Sequence, residues 1–206
     1  MIHKTIESHD EYLKIVEQYQ DYEAGTYKSM TLQEKMDFFD GVHTNNVPLF
    51  DEDGDDMETF DDYCAIEEDF LKHPEQFSLN NILDFMAMLD DSCYQPSFMD
   101  TITKIIHNIV RFYQLDGVVF LLSHLKDVPE RGYEYGLFVS IQRLISDESV
   151  YSFAKEALSQ ISSDNRKFVL QILEKSSFPC LEEHGNELEL RRKAELEAIA
   201  KNATFN

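Results

Sequence analysis

The chain has few of the residues that close short turns or cross-link small domains. Its 206 residues include seven glycines, five prolines, three cysteines and no tryptophan. So little glycine and proline argues against a sandwich or barrel built from many short strands. The three cysteines lie more than 25 residues apart, which is more typical of a reducing compartment than of a disulfide framework. We therefore expect a cytoplasmic protein.

Long apolar runs and positive charge are also scarce. No apolar run approaches ~18 residues, and residues 1–7 lack the apolar stretch of a signal peptide, so we expect no membrane span. Eighteen basic residues stand against 40 acidic ones, which gives a formal net charge of −22. Because such a chain repels phosphate groups, we expect no general affinity for nucleic acid or anionic membranes. The hydrophobic content of 43% is nevertheless too high for a disordered acidic tail.

The negative charge is concentrated towards one end of the chain. Residues 1–75 carry 21 acids and five bases, a net charge of −16, whereas 76–145 and 146–206 carry −3 each. The twelve residues from Asp51 to Asp62, here called the acidic segment, contain eight acids and no base. Such a run is either a solvated loop that maintains solubility or a docking surface for a basic partner. The clustering favours docking, because solubility alone does not require it.

Helix-start signals recur through the first 75 residues. Capping-box patterns at Ser8 and Thr31 each precede a stripe of apolar residues with helical spacing, and a glycine closes each predicted helix. A loop over 42–55 and a third helix over 56–72 follow. The sequence predicts an acidic helical region, 1–75, that either packs as a cap on the rest of the chain or forms a separate small domain, and the short loop from Pro74 to Ser78 favours the cap.

The remainder, 76–206, has a cleaner and more apolar helical pattern. Six helices are predicted between 78 and 176, and a polar helix follows over 182–202. The six lie at about 79–91, 98–115, 118–128, 133–145, 150–161 and 168–173. Short connections favour antiparallel neighbours, and pairs that recur every ~30–40 residues are typical of helical-repeat proteins. We predict an all-α fold whose helix pairs stack as a short HEAT-like solenoid, with a compact irregular bundle as the alternative.

Motifs for catalysis or metal binding are lacking. The letters DEDGD at 51–55 resemble the first half of a calcium loop, but Asp56 replaces the turn glycine and Asp62 replaces the bidentate glutamate. No two of the seven histidines have the i, i+4 spacing of a helical metal site. The acidic neighbours of Cys64 should raise its thiol pKa and make it a poor nucleophile. We predict no enzyme activity, no catalytic residue, no metal site and no cofactor.

The segment from Leu121 to Pro179 resembles helical, HEAT-like immunity proteins of bacterial polymorphic-toxin and contact-dependent inhibition systems. Three stretches carry the resemblance: LSHLKDVPE at 122–130, a helix through YEY at 133–135, and FAKEAL at 153–158. The resemblance implies a non-catalytic protein that binds and blocks a cognate toxin domain, often a nuclease. A nuclease site is basic because it holds phosphates, so its inhibitor needs an acidic surface.

These considerations predict a partner-binding surface made of acidic side chains. The residues expected to contact the basic toxin domain are Asp51, Glu52, Asp53, Asp55, Asp56, Glu58, Asp61, Asp62, Asp90, Asp91, Glu130 and Glu134. A second hypothesis is a helical-repeat adaptor or regulator that binds another protein or peptide in a groove. An enzyme is the third hypothesis, and it has no motif in its support.

Overall fold

The structure, a computed structural model, describes residues 9–44, 46–90, 96–132, 135–175 and 187–202. Over these ranges the chain forms nine α-helices and no strand, apart from an isolated bridge between Phe50 and Asp56. The prediction of an all-α protein is therefore confirmed. The chain divides into two compact units, Met1–Gln76 and Phe77–Asn206, here called unit 1 and unit 2.

Unit 1 contains three helices, and the strongest start signal lies at the second. The helices are α1 (His9–Gln18), α2 (Leu32–His43) and α3 (Glu58–Lys72). The predicted capping box at Thr31 is confirmed: its side chain accepts from the Glu34 N–H, and the Glu34 carboxylate accepts from the Thr31 N–H at 2.7 Å. This exchange satisfies two backbone donors that a helix N-terminus otherwise leaves without partners.

Aromatic packing between α2 and α3 forms the core of unit 1. Phe39 and Phe70 are fully buried, and Phe39 stacks on Tyr63 with ring centroids 5.4 Å apart. Each buried aromatic side chain of this size contributes about 1.5–3 kcal/mol through removal of its surface from water. The packing fixes α3, and α3 directly follows the loop that carries most of the acidic segment.

The described residues of unit 2 form six helices in series. They are α4 (Asn81–Ala87), α5 (Pro96–His124), α6 (Tyr135–Ser146), α7 (Glu148–Gln160), α8 (Ser163–Lys175) and α9 (Glu187–Asn202). The long helix α5 contacts α4, α6, α7 and α8, so it is the central element of this unit. Its isoleucines at 102, 105, 106 and 109 follow helical spacing and are buried to 0–1% exposure.

Helix α5 is broken at one residue. Gln114 has φ 55° and ψ −125°, far from helical values, so the two halves of α5 run in different directions. The sequence predicted a break before Asp116 and Gly117, two residues further along. Gly117 is instead buried inside the second half, where an added Cβ would lie 2.5 Å from the carbonyl oxygen of Val110. The glycine therefore permits close packing of the two halves and does not end a helix.

One stretch of the described residues, Phe98–Asp127, is long and apolar enough to cross a membrane by length and composition alone. The stretch contains no uninterrupted apolar run of this length, because polar residues interrupt it. It bends at Gln114, and its isoleucine face packs against the other helices of unit 2. The core helix of a globular protein is packed in the same way.

Helix α9 corresponds to the polar helix predicted over 182–202, but part of its surface is buried. Arg192, Leu196 and Ala200 are buried against α6, α7 and α8. The Arg192 guanidinium donates to the carbonyls of Ile145 and Ser146 at 3.0 and 3.3 Å. Since these are the last carbonyls of α6, the cation satisfies helix-end acceptors and interacts favourably with the helix dipole.

Candidate functional site

The first part of the acidic segment is an ordered chain reversal. The Asp51 Oδ1 atom accepts from the backbone N–H groups of Asp53 and Asp55, both at 2.9 Å. The Asp51 N–H also donates to the Asp55 carbonyl at 2.9 Å. Gly54 has φ +86°, a left-handed conformation that glycine adopts without strain. Asp51 therefore shapes the loop, and the loop fixes where the neighbouring carboxylates lie.

Most of the other acids of this segment are solvent-exposed. The exposed ones are Glu52, Asp53, Asp55, Asp56, Glu58 and Asp61. These six acids lie within ten consecutive positions, 52–61, that contain no basic residue. Like charges held this close create a strong local negative potential, which attracts cations and basic surfaces.

Asp62 is placed differently, with 1% exposure. Its carboxylate accepts from the Tyr22 hydroxyl at 2.7 Å and from the backbone N–H groups of Gly25 and Tyr27 at 2.5 and 3.0 Å. Both oxygens are therefore occupied by internal donors. The prediction that Asp62 contacts a partner does not fit this placement, and we exclude it from the candidate surface. Its role is to hold the turn after α1 against α3.

A cleft of about 530 Å³ separates α1 from the acidic segment. One side, formed by α1 and the turn after it, includes Leu13, Val16, Glu17, Tyr19, Gln20 and Tyr22, and the opposite side includes Asp51, Glu52, Asp53, Asp56, Met57 and Glu58. The first side combines apolar and aromatic residues with the exposed Glu17 and Gln20, while the other is mainly acidic. The volume lies within the range of about 300–1,000 Å³ that is usual for ligand-binding clefts.

The α1 wall was missed as part of a site by sequence reasoning. Tyr19 and Tyr22 belong to the apolar stripe that predicted α1, and such a stripe normally marks a core face. In the structure both tyrosines are half-buried, with ring centroids 5.8 Å apart. The Tyr12 hydroxyl donates to the Phe50 carbonyl at 2.8 Å, which ties α1 to the start of the acidic segment. The negative charge of the acidic segment was the sequence feature that could have indicated a cleft beside this apolar stripe.

The environment of Tyr22 keeps its hydroxyl protonated. Burial raises its pKa well above the ordinary value, and the hydrogen bond to the Asp62 carboxylate raises it further. Burial likewise raises the pKa of Tyr19. Both side chains therefore act as neutral donors and aromatic surfaces over the physiological range.

The predicted contact residues of unit 2 have different surroundings. Asp90 is half-buried, and its carboxylate lies 3.7 Å from the Arg131 Nε atom, which partly neutralises it. Glu130 is exposed. Asp91 and Glu134 lie outside the described residues. The described acids of unit 2 thus form no concentration of charge comparable with that of unit 1.

Metal binding and nucleophilic catalysis both require particular side chains to converge at one place. No group of three histidine, cysteine or acidic side chains within the described ranges is arranged to hold a metal ion. Burial raises the pKa of the Cys64 thiol, and Glu67, Asp61 and Asp56 raise it further, so the predicted direction is confirmed.

The pair most like a catalytic dyad is His107 and Asp147, whose Nε2 and Oδ2 atoms lie 2.8 Å apart. Asp147 is the N-cap of α7 and accepts from the Ser149 N–H at 2.8 Å. The Ser149 hydroxyl also donates to Asp147, at 2.6 Å, and not to the histidine. Without a serine–histidine bond, this arrangement is a helix cap and not a nucleophile with its base.

The pKa values of this pair follow from burial and hydrogen bonding. Burial lowers the pKa of His107, although Asp147 opposes the effect. Partial burial favours protonated Asp147, but hydrogen bonds from Ser149 and His107 outweigh it and lower the pKa of the carboxyl group. The neutral imidazole and the charged carboxylate are therefore the stable forms near neutral pH.

The geometry leaves the acidic segment and its cleft as the feature with the clearest binding chemistry. Comparison of the chain with family models, curated proteins and solved structures finds no match.

Proposed function

We propose that the protein is an immunity protein that binds a cognate toxin domain, basic and of nuclease type, and neutralises it through the acidic surface of unit 1. In this proposal the helices of unit 2 form a short HEAT-like stack. Contacts of α4 with α5, α5 with α6 and α6 with α7 agree with such a stack, whereas the contacts of α5 with α7 and α8 agree with the alternative of a compact irregular bundle. The protein acts by occupying the toxin and has no catalytic step of its own.

The observation that carries the proposal is the set of six exposed acids, four on a loop of defined shape and two in the first turn of α3. Because Asp51 holds the loop through three hydrogen bonds, the carboxylates are positioned before a partner arrives. Pre-organised charge accelerates association with an oppositely charged surface, up to about 10⁸–10⁹ M⁻¹s⁻¹ at low salt. Rapid capture benefits an inhibitor whose target would otherwise turn over substrate.

A nuclease is the toxin class that this surface fits best. Its active site must hold phosphates and is therefore basic. A carboxylate-rich loop presents a similar negative charge to such a site and can cover it. The same surface repels nucleic acid itself, so binding is directed to the protein partner.

The test is capture of partners from the source cell on the full-length protein, followed by titration at about 0.05 and 0.2 M salt. Binding of a small basic domain that weakens strongly with salt is the expected result. A neutral or acidic partner, indifferent to salt, would overturn the proposal and favour an adaptor that binds through unit 2.

Variants in which neutral side chains replace acidic ones then test the surface. Replacement of Asp53, Asp55, Asp56 and Asp61 by asparagine should weaken binding at least about tenfold, equivalent to 1.4 kcal/mol. A control with the same change in net charge replaces the exposed acids Glu148, Glu156, Asp164 and Glu187 of unit 2. Equal affinities for the two quadruple variants would show that the acidic segment is not the docking surface.

A further inference from the structure

The cleft beside the acidic segment combines two kinds of surface within one cavity. Leu13, Val16 and Tyr19 on the α1 side offer apolar and aromatic contact, and carboxylates are offered by Glu17 on that side and by acids such as Glu52 and Asp53 on the other. A purely hydrophobic side chain would desolvate those carboxylates without compensation. A small anion would be repelled. The cleft therefore requires an occupant that is apolar along its length and cationic at its end.

Arginine meets both requirements. Its aliphatic stem packs on apolar surface while its guanidinium group keeps polar partners. The planar guanidinium also stacks on aromatic rings and donates to two carboxylate oxygens at once, which the ammonium of lysine does not do. Tyr19 and Tyr22 supply half-buried rings on one wall, and the acids supply the acceptors on the other.

We infer that the cleft between α1 and the acidic segment is the specificity pocket of this surface and receives one arginine side chain of the basic partner. The inference rests on the proposed function, because it names the group through which that partner is held. The arginine stem lies along Leu13 and Tyr19, and the guanidinium is bound among Glu52, Asp53, Asp56 and Glu58.

The pocket divides the exposed acids into two groups. Glu52, Asp53, Asp56 and Glu58 line the cleft, whereas Asp55 and the equally exposed Asp61 do not. A partner attracted by charge alone would respond similarly to neutralisation of either group. An arginine held in the cleft responds mainly to the first group.

The probe is the peptide acetyl-Leu-Arg-Leu-Arg-amide, titrated into the ¹⁵N-labelled full chain at low salt. Two matched peptides carry lysine or the neutral isostere citrulline in place of arginine. The expected result is shifts of the amide resonances of α1 and the acidic segment. Binding should weaken about threefold or more with lysine and be lost with citrulline, because charge-assisted bidentate bonds are roughly twice as strong as neutral ones.

Two pairs of variants locate the binding. Gln20 lines the cleft and Gln18 does not, although both are exposed glutamines at the end of α1 or just after it. Gln20→Trp fills the cleft without a change in charge and should weaken binding of the arginine peptide about tenfold, whereas Gln18→Trp should not change it. The double variant Glu52→Gln/Asp53→Asn should likewise weaken binding several-fold more than Asp55→Asn/Asp61→Asn.

The outcomes separate this inference from the proposed function. Equal loss with both acid pairs, together with unchanged binding by Gln20→Trp, would overturn the pocket while leaving an acidic docking surface intact. Absence of any shift with the arginine peptide, or equal binding of the lysine peptide, would also overturn it. If the partner captured from the cell is indifferent to both acid pairs, the proposed function fails as well.

Discussion

Replacement of Asp62 by alanine should destabilise unit 1 more than any other single change in the acidic segment. The carboxylate is buried and accepts three hydrogen bonds from Tyr22, Gly25 and Tyr27. Alanine removes the acceptors and leaves two backbone N–H groups and a hydroxyl without them. The turn that follows α1 then loses its attachment to α3.

The magnitude follows from the number and type of these bonds. A hydrogen bond to a charged group contributes about 1.5–3 kcal/mol, and a buried donor left without an acceptor costs about 1–3 kcal/mol. Because three partly buried donors lose the carboxylate, we expect Asp62→Ala to lower the free energy of unfolding by about 3–5 kcal/mol. Tyr22→Phe removes one donor of the three and should cost about 1.5 kcal/mol.

The assay is urea unfolding followed by circular dichroism and tyrosine fluorescence, combined with amide hydrogen exchange. Exchange of the Gly25 and Tyr27 amides should accelerate in Asp62→Ala well before the unit unfolds. The exposed neighbour Asp61 provides the control, since Asp61→Ala should change stability by less than about 0.5 kcal/mol. If the two alanine variants unfold at the same urea concentration, and the two amides exchange at the wild-type rate, the anchoring role is refuted.

Three further predictions concern unit 2. Burial lowers the folded-state pKa of His107 beside Asp147, so the free energy of unfolding should fall as the pH drops below the ordinary histidine pKa of about 6.5. His107→Gln should flatten this part of the plot of urea midpoint against pH. Gly117→Ala should cost about 1–3 kcal/mol in thermal or urea unfolding, because its Cβ would clash with the Val110 backbone. Arg192→Ala should cost about 2–4 kcal/mol, because two carbonyls of α6 lose their donor and an aromatic contact is lost.

Each of these predictions has a matched control. For His107→Gln the control is the range above about pH 7.5, where the wild-type imidazole gains no proton, so the difference in urea midpoint between variant and wild type should stay constant there. Asp116→Ala and Arg191→Ala alter exposed neighbours of Gly117 and Arg192, so each should change stability by less than about 0.5 kcal/mol. If Asp116→Ala or Arg191→Ala destabilised the protein as much as Gly117→Ala or Arg192→Ala, the packing described for unit 2 would be contradicted.

Local signals predicted much of the secondary structure. The Thr31 capping box places the start of α2 correctly, and the predicted third helix over 56–72 corresponds to α3 at Glu58–Lys72. These features depend on residues a few positions apart, so the sequence displays them directly. The predicted solenoid and toxin partner depend on long-range arrangement and surface chemistry, and they stay predictions.

Two of the features that sequence reasoning missed depend on partners distant in the chain. Asp62 resembles its exposed neighbours until Tyr22, Gly25 and Tyr27, which lie 35–40 residues away, are brought to it. Arg192 likewise reaches carbonyls 46 and 47 residues away. The sequence shows that a charged side chain needs polar partners, but it does not show whether water or the protein supplies them.

The anchoring of the acidic segment also affects the order in which the protein acquires its parts during synthesis. Tyr12, Tyr22 and the turn at Gly25, which hold the segment and the cleft in place, all precede Gln76, the last residue of unit 1. Unit 2, by contrast, is complete only when α9 delivers Arg192 to the end of α6. At about 5–20 residues per second, translation of the 130 residues from 77 to 206 takes roughly 6–26 s. The acidic segment and its cleft can therefore fold on the nascent chain while the ribosome is still translating unit 2.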